Sequence, residues 1–236
     1  MADAAPSHVH LPDLGAGTDS VTIEGEEAHY LARVVRVRAG DRVSATDGRG
    51  LRAELEVLAL RPSMTARVLA RERRERPRTL ELWCGAPEGE RADWLVEKLG
   101  ELAVATLRLL ETERGGWDHV ARRRPRWERL AVAALRQSQS THLLRIEGPE
   151  PLAAAAGRIG ATGPGRWLAD ASGAPARAMG TPGEGASVIA VGPSSGFSAA
   201  EVKWMQDLEF VPIRLAGSRL RTETAALAAA CWWAGA

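Results

Sequence analysis

The chain has 236 residues, 45% of them hydrophobic and 26% charged, with a formal net charge of +1. Such a chain is long enough for two domains and apolar enough to bury a core, and its near-neutral charge excludes a general polycation. No apolar run reaches the ~18–20 residues of a spanning helix. Residues 1–14 lack the basic-then-apolar order of a signal peptide, and Cys84 and Cys231 are too few for a disulfide framework or a zinc site, so a reducing, cytoplasmic setting is expected.

Residues 1–75 read as β-rich. His8 and His10 read as part of a polar tail. Residues 21–23 form a short strand. The turn dipeptides at 40–41 (GD) and 47–48 (DG) bracket a strand at 42–46, which predicts a hairpin. Residues 51–58 alternate apolar and polar, and 66–69 can pair nearby. Short strands with turn signals point to a small barrel. The run RERRERPR at 71–78 is charged, contains a proline and reads as a linker.

From residue 79 the rhythm becomes strand, helix, strand. Strands are expected at 80–86, 104–110, 143–146, 167–169, 187–191 and 210–215, and helices at 90–102 and 125–140, with loops at 157–166 and 173–185. That alternation predicts a mainly parallel sheet covered on both faces. Between 108 and 145, nine arginines face four acidic residues, a patch that could meet phosphates or be a solvated helix face. Ser198 and Glu201 have the spacing of a capping box, with Phe197 and Val202 in the staple positions. The glycine loop at 192–196 therefore sits between a strand end and a helix start, where open α/β folds bind ligands.

Three segments carry a resemblance: VIAVGPSSGF at 188–197, LAGSRLRTETA at 215–225 and KLGELA at 98–103, with weaker echoes in Glu113-Arg114, in Gln137-Ser138 and from His29 to Asp41. In this order they resemble the ribosomal RNA small subunit methyltransferase E family, 16S rRNA uracil-N3 methyltransferases of the SPOUT class. The resemblance implies a PUA-like β-barrel that binds RNA (1–75) and an α/β domain with a deep trefoil knot (76–236). It also implies a homodimer and S-adenosylmethionine as cofactor, with no metal and no membrane. The implied cofactor residues are Leu168, Val191, Gly192, Pro193, Ser194, Gly196, Leu215, Gly217, Leu220, Thr222, Thr224 and Ala225. RNA-binding candidates are Arg33, Arg36, Arg114, Arg122, Arg123 and Arg219. Arg221 is the catalytic candidate, because a uracil N3 must lose its proton to attack and a cation stabilises the resulting anion.

Several residues carry a plainer reading too. Arg221 could pair with Glu223, Thr222 and Glu223 could cap the last helix, and both cysteines fit a core. The sequence departs from the family's GPEGG at Ser194 and Ser195, where Ser195 adds a side chain at a position that suits close backbone approach or a positive φ. It also departs at Glu88, Ala103, Arg136 and Ser140. Two other functions stay open: a non-catalytic RNA-binding or ribosome-assembly protein on the same fold, and a knotted methyltransferase with a different RNA target.

Overall fold

The computed structural model describes residues 7–15, 17–158, 165–180 and 182–235. Its contacts divide the chain into two compact units. One comprises Met1–Arg76 and Val132–Leu143, the other Pro77–Ala131 and Leu144–Ala236.

The first unit contains β1 (His8–His10), β2 (Ser20–Ile23), α1 (Gly25–His29) running into a π-helical segment (Tyr30–Val35), then β3 (Arg42–Thr46), β4 (Leu51–Ala59) and β5 (Met64–Arg73). The strands form one curled sheet in the order β1-β3-β4-β5-β2, antiparallel except for the β1–β3 pair. The alternation read in β4 has a direct physical result. Ala53, Leu55 and Val57 are buried among Val9, Ile23, Leu31, Val43 and Ala66, each large aliphatic contributing about 1.5–3 kcal/mol by its burial.

Two expectations for this unit are corrected. His8 and His10 are a strand, not a tail. His8 is buried, its Nδ1 contacts the Ser44 hydroxyl and its Nε2 donates to Ser140 O at 3.0 Å. Burial holds its imidazole below the ordinary value. The linker expected at 71–78 is shorter than that: Arg71 to Arg73 finish β5 and Arg78 opens the next strand, which leaves 74–77 between them, where the division of the chain into two units falls. Charged residues fit there because that end of β5 is exposed.

The second unit contains β6 (Arg78–Cys84), α2 (Arg91–Glu101), β7 (Thr106–Glu111), the first part of α3 (Val120–Ser138, of which the residues from Val132 belong to the first unit), β8 (Arg145–Pro151), α4 (Leu152–Ala156), β9 (Arg166–Pro175), β10 (Gly185–Val191), α5 (Ala199–Asp207), β11 (Val211–Arg214) and α6 (Thr222–Ala234). Its six strands are all parallel, in the order β11-β9-β10-β6-β7-β8. The chain runs outward through β6, β7 and β8, and β9 and β11 then lie on the far side of β10. The order thus reverses beside β6, the arrangement that opens a crevice at the carboxyl ends of the strands.

α3 starts at Val120, not at Pro125. Val120 is buried on the same face as Trp127, Ala131, Ala134 and Leu135, and this packing outweighs the missing amide of an interior proline. The expected loop at 173–185 is strand as far as Pro175, while most of the loop at 157–166 lies outside the described residues.

The arginine-rich stretch is largely occupied. Arg108 is buried and bonded to Glu81, Glu147 and Glu150. Arg124 donates to the carbonyls of Ile146 and Gly148, and Arg126 pairs with Asp93. Arg136 pairs with Glu27 at 3.2 Å, and Arg145 donates to the Thr106 hydroxyl.

Ala103, in place of the family's glycine, holds φ +55 just beyond the end of α2. Its amide donates to Gly100 O at 3.1 Å and the next amide, Val104 N, to Leu99 O at 3.0 Å, a helix stop that favours glycine. Ala103→Gly is expected to stabilise the protein by about 1 kcal/mol, read as a melting temperature raised by roughly 2–4 °C.

Candidate functional site

Two loops and one turn meet at the carboxyl ends of β9, β10 and β11. Residues 192–198 leave β10 and enter α5 through the predicted capping box. Ser198 Oγ accepts from Glu201 N at 3.1 Å and Glu201 Oε2 accepts from Ser198 N at 2.8 Å. Phe197 and Val202 pack against the cluster of Trp83, Leu168, Met205 and Phe210, which fixes the angle at which the loop enters the helix.

The second loop, residues 215–221, leaves β11 and enters α6. Its Arg219 Nη2 donates to Ser194 O at 3.1 Å, and Thr222 Oγ1 donates to Gly192 O at 3.1 Å. The third segment is the turn after β7, closed by Thr112 N donating to Gly115 O at 3.0 Å. Beneath the first loop lies Gly85, the residue after β6. A β-carbon there would sit 2.3 Å from Pro193 N and 2.8 Å from Pro193 Cα, so only glycine lets the two backbones touch. The same place is closed by Trp117 Nε1, which donates to Cys84 O at 3.0 Å.

The loops enclose a cleft of about 480 Å³, within the range of small-molecule sites. Of the sequence-predicted cofactor residues, Val191, Gly192, Pro193, Ser194 and Gly196 line it from the first loop, and Leu215, Gly217 and Leu220 from the second. Thr222 and Ala225 line it from α6. Leu168 does not reach the cleft; it is fully buried in the core beneath. Thr224 is exposed and outside the lining. Arg219 stands in the lining, while Arg221 is exposed beside it.

Asp170, Ala171, Arg214 and Ser218 also line the cleft and were not foreseen. For Asp170 the signal was its place at a strand's carboxyl end. The predicted strand stopped at 169, whereas β9 carries on to Pro175 through a shift in its pairing with β11.

Two expected roles change. Thr222 does not cap α6: the cap residue is Arg221, no side chain caps it, and the Thr222 hydroxyl ties α6 to the first loop instead. Glu223 is buried and pairs with Arg91 Nη1 at 2.6 Å rather than with Arg221. Arg221, in turn, forms no ion pair among the described residues. It stands at the N-cap of α6, between the lining residues Leu220 and Thr222, where its charge adds to the uncapped amides of the helix's first turn.

Ser195 is not in the positive-φ region and does not line the cleft, so the serine replacement leaves the backbone face of the loop intact. Cys84 is buried at the end of β6, and burial first, then the charge of Glu223, pushes its thiol far up, so it is core and no nucleophile. Of the remaining RNA candidates, Arg33, Arg36, Arg114 and Arg122 are exposed and Arg123 half-buried.

The arrangement can hold a flat, partly apolar ligand. Glycines in both loops let backbone approach such a ligand, and Val191, Ile213, Leu215 and Leu220 supply apolar walls. Thr222→Val removes the hydroxyl that joins the two halves while keeping its shape. It is expected to cost about 1 kcal/mol of stability and to weaken ligand binding several-fold, measured by denaturant melts and calorimetry.

Comparison with known proteins agrees with this picture. The RNA methyltransferase domain matches residues 74–234, and the RNA methyltransferase PUA domain matches residues 23–68. The chain is 24% identical over 220 residues to the ribosomal RNA small subunit methyltransferase E of Bacillus subtilis, covering 87% of this chain and 86% of that one. Among solved structures, a probable rRNA-methyltransferase from Porphyromonas gingivalis superposes with TM-score 0.83 at 28% identity over 96% of each chain. The Neisseria gonorrhoeae ribosomal RNA small subunit methyltransferase E bound to S-adenosyl methionine superposes with TM-score 0.85 at 23% identity, over 96% of this chain and 95% of that one.

Proposed function

The chain belongs to the RNA methyltransferase family of the ribosomal RNA small subunit methyltransferases E, and from that premise we propose that it methylates N3 of a uridine in small-subunit rRNA with S-adenosylmethionine as donor. The observation that carries this reading is the cleft at the carboxyl ends of β9, β10 and β11, walled by two glycine loops tied together at Thr222 and Arg219.

The fit to that cofactor rests on this cleft's own chemistry. Gly192 and Gly217, with Gly196 at φ +75, put no side chain in the way of an adenine edge, while Val191, Leu215 and Leu220 cover its faces. S-adenosylmethionine, when bound, supplies the electrophilic methyl group. Everything else falls to this chain's residues, which position and place charge. Arg221 and the first-turn amides of α6 stabilise the negative charge that uracil acquires when N3 gives up its proton. The target base reaches the cleft from a single strand or flipped out of its stack.

Arg114, Arg122, Arg123 and Arg219 contact RNA phosphates in this reading, and residues 1–75, with Arg33 and Arg36, form an RNA-binding domain. The homodimer belongs to the same reading and is supported by α6, an apolar helix on which Leu227, Cys231 and Trp232 remain half-exposed. Sedimentation measures it.

The test is methyl transfer to unmethylated small ribosomal subunits, with modified nucleosides identified by mass spectrometry. N3-methyluridine is the expected product. A different methylated nucleoside would replace the target, and absence of product from folded protein and intact subunits would overturn the catalytic reading.

A further inference from the structure

The loop between β10 and α5 has a second face. Gly192, Pro193, Ser194 and Gly196 line the cleft, but Ser195 does not. Its hydroxyl donates to Arg114 O at 3.0 Å, and its carbonyl accepts from Arg114 Nη1 at 3.4 Å. The turn that carries Arg114 is fastened at a second point. Glu113 N donates to Glu201 Oε1 at 2.9 Å, while Oε2 of the same buried carboxylate accepts from Ser198 N. One carboxylate thus holds amides from the turn and from the loop. On the loop's other side, Arg219 Nη2 donates to Ser194 O. Consecutive carbonyls of one loop therefore each engage a guanidinium, and among the described residues each guanidinium uses one of its five donors in doing so.

We propose that this loop couples the two substrates: Ser195 is a positioning residue that holds Arg114 for an RNA phosphate, and a ligand in the cleft tightens RNA binding through it. The inference rests on the methyltransferase reading above and adds a thermodynamic link between its two sites. A ligand that packs against Ser194 and Gly196 restricts the loop, and the Ser194 and Ser195 carbonyls are restricted with it. Arg114 and Arg219 are then ordered before RNA arrives, so RNA binding has less freedom to remove. A free guanidinium edge matches phosphate in a bidentate fashion. Linkage requires reciprocity: RNA must tighten binding of the small ligand by the same factor.

The experiment uses the full chain, S-adenosylhomocysteine as the unreactive cleft ligand and fluorescently labelled unmethylated small-subunit rRNA. S-adenosylhomocysteine is expected to tighten RNA binding by about fivefold or more, and RNA to tighten S-adenosylhomocysteine binding equally in calorimetry. Ser195→Gly should abolish that factor with a melting temperature close to wild type, and Ser195→Thr, which keeps the hydroxyl, should restore it. Equal RNA affinity with and without S-adenosylhomocysteine in the wild type overturns the proposal, as does a wild-type factor in Ser195→Gly. Methylation of small subunits without coupling overturns the coupling alone. No binding of S-adenosylhomocysteine at all overturns it together with the function beneath it.

Discussion

Arg221→Ala is expected to lower kcat for methyl transfer by about 10²–10³-fold, the usual loss when a charge-stabilising donor is removed from a developing anion. The folded state should hardly notice. Arg221 is exposed, and it takes part in none of the ion pairs of the described residues. Its carbonyl, not its side chain, makes the helical bond to Ala225 N at 2.8 Å. Single-turnover rates at saturating cofactor and RNA, beside a thermal melt, separate the two effects. A wild-type rate in that assay would remove Arg221 from the chemistry and leave the helix N-terminus as the stabilising group. Arg221→Lys should recover only part of the rate, because an ammonium offers a point charge without the planar fork.

Gly85→Ala is expected to abolish cofactor binding and to destabilise the second unit by about 3 kcal/mol, the upper end for forced overpacking. The added methyl would lie within 2.8 Å of three Pro193 atoms, two of them backbone, so no rotamer change can relieve it. Either β6 or the 192–198 loop must move, and Trp117, bonded to Cys84 O, closes off one direction. Calorimetric titration with S-adenosylmethionine and a urea melt measure the two losses. Gly217→Ala is the matched control: a β-carbon there has no atom within 4 Å, so stability should hold.

The regular parts of this fold were legible because their causes are local. Alternation in 51–58 gave β4, apolar runs gave β6 and β10, and Ser198 with Glu201 gave the start of α5 to the residue. The helical segment from Gly25 to Val35 was missed because it is short and only Leu31 and Glu27 are buried in it. Pro125 misled because a proline usually marks a helix start, whereas tertiary packing of Val120 set this one. The cleft was legible in its two loops but not in Asp170, since the bulge that brings it there belongs to the pairing of β9 with β11 and has no local signature. The true partners of Thr222 and Glu223 are Gly192 and Arg91, distant in sequence and therefore invisible to a reading of neighbours.

The internal pairing of the arginine-rich stretch has a consequence for ionic strength. Of its nine arginines, Arg108, Arg124, Arg126, Arg136 and Arg145 are engaged by partners within the protein, which leaves Arg122, Arg123 and Arg129, with Arg114 through the donors that Ser195 O does not take, to displace counterions from RNA. Four phosphates on a single strand correspond to a slope of about −3 in log affinity against log salt, where a count of arginines in the sequence would suggest about twice that. Binding through this stretch should therefore survive moderate salt, and discrimination between RNAs should rest on the fit of one base in the cleft more than on attraction to the backbone.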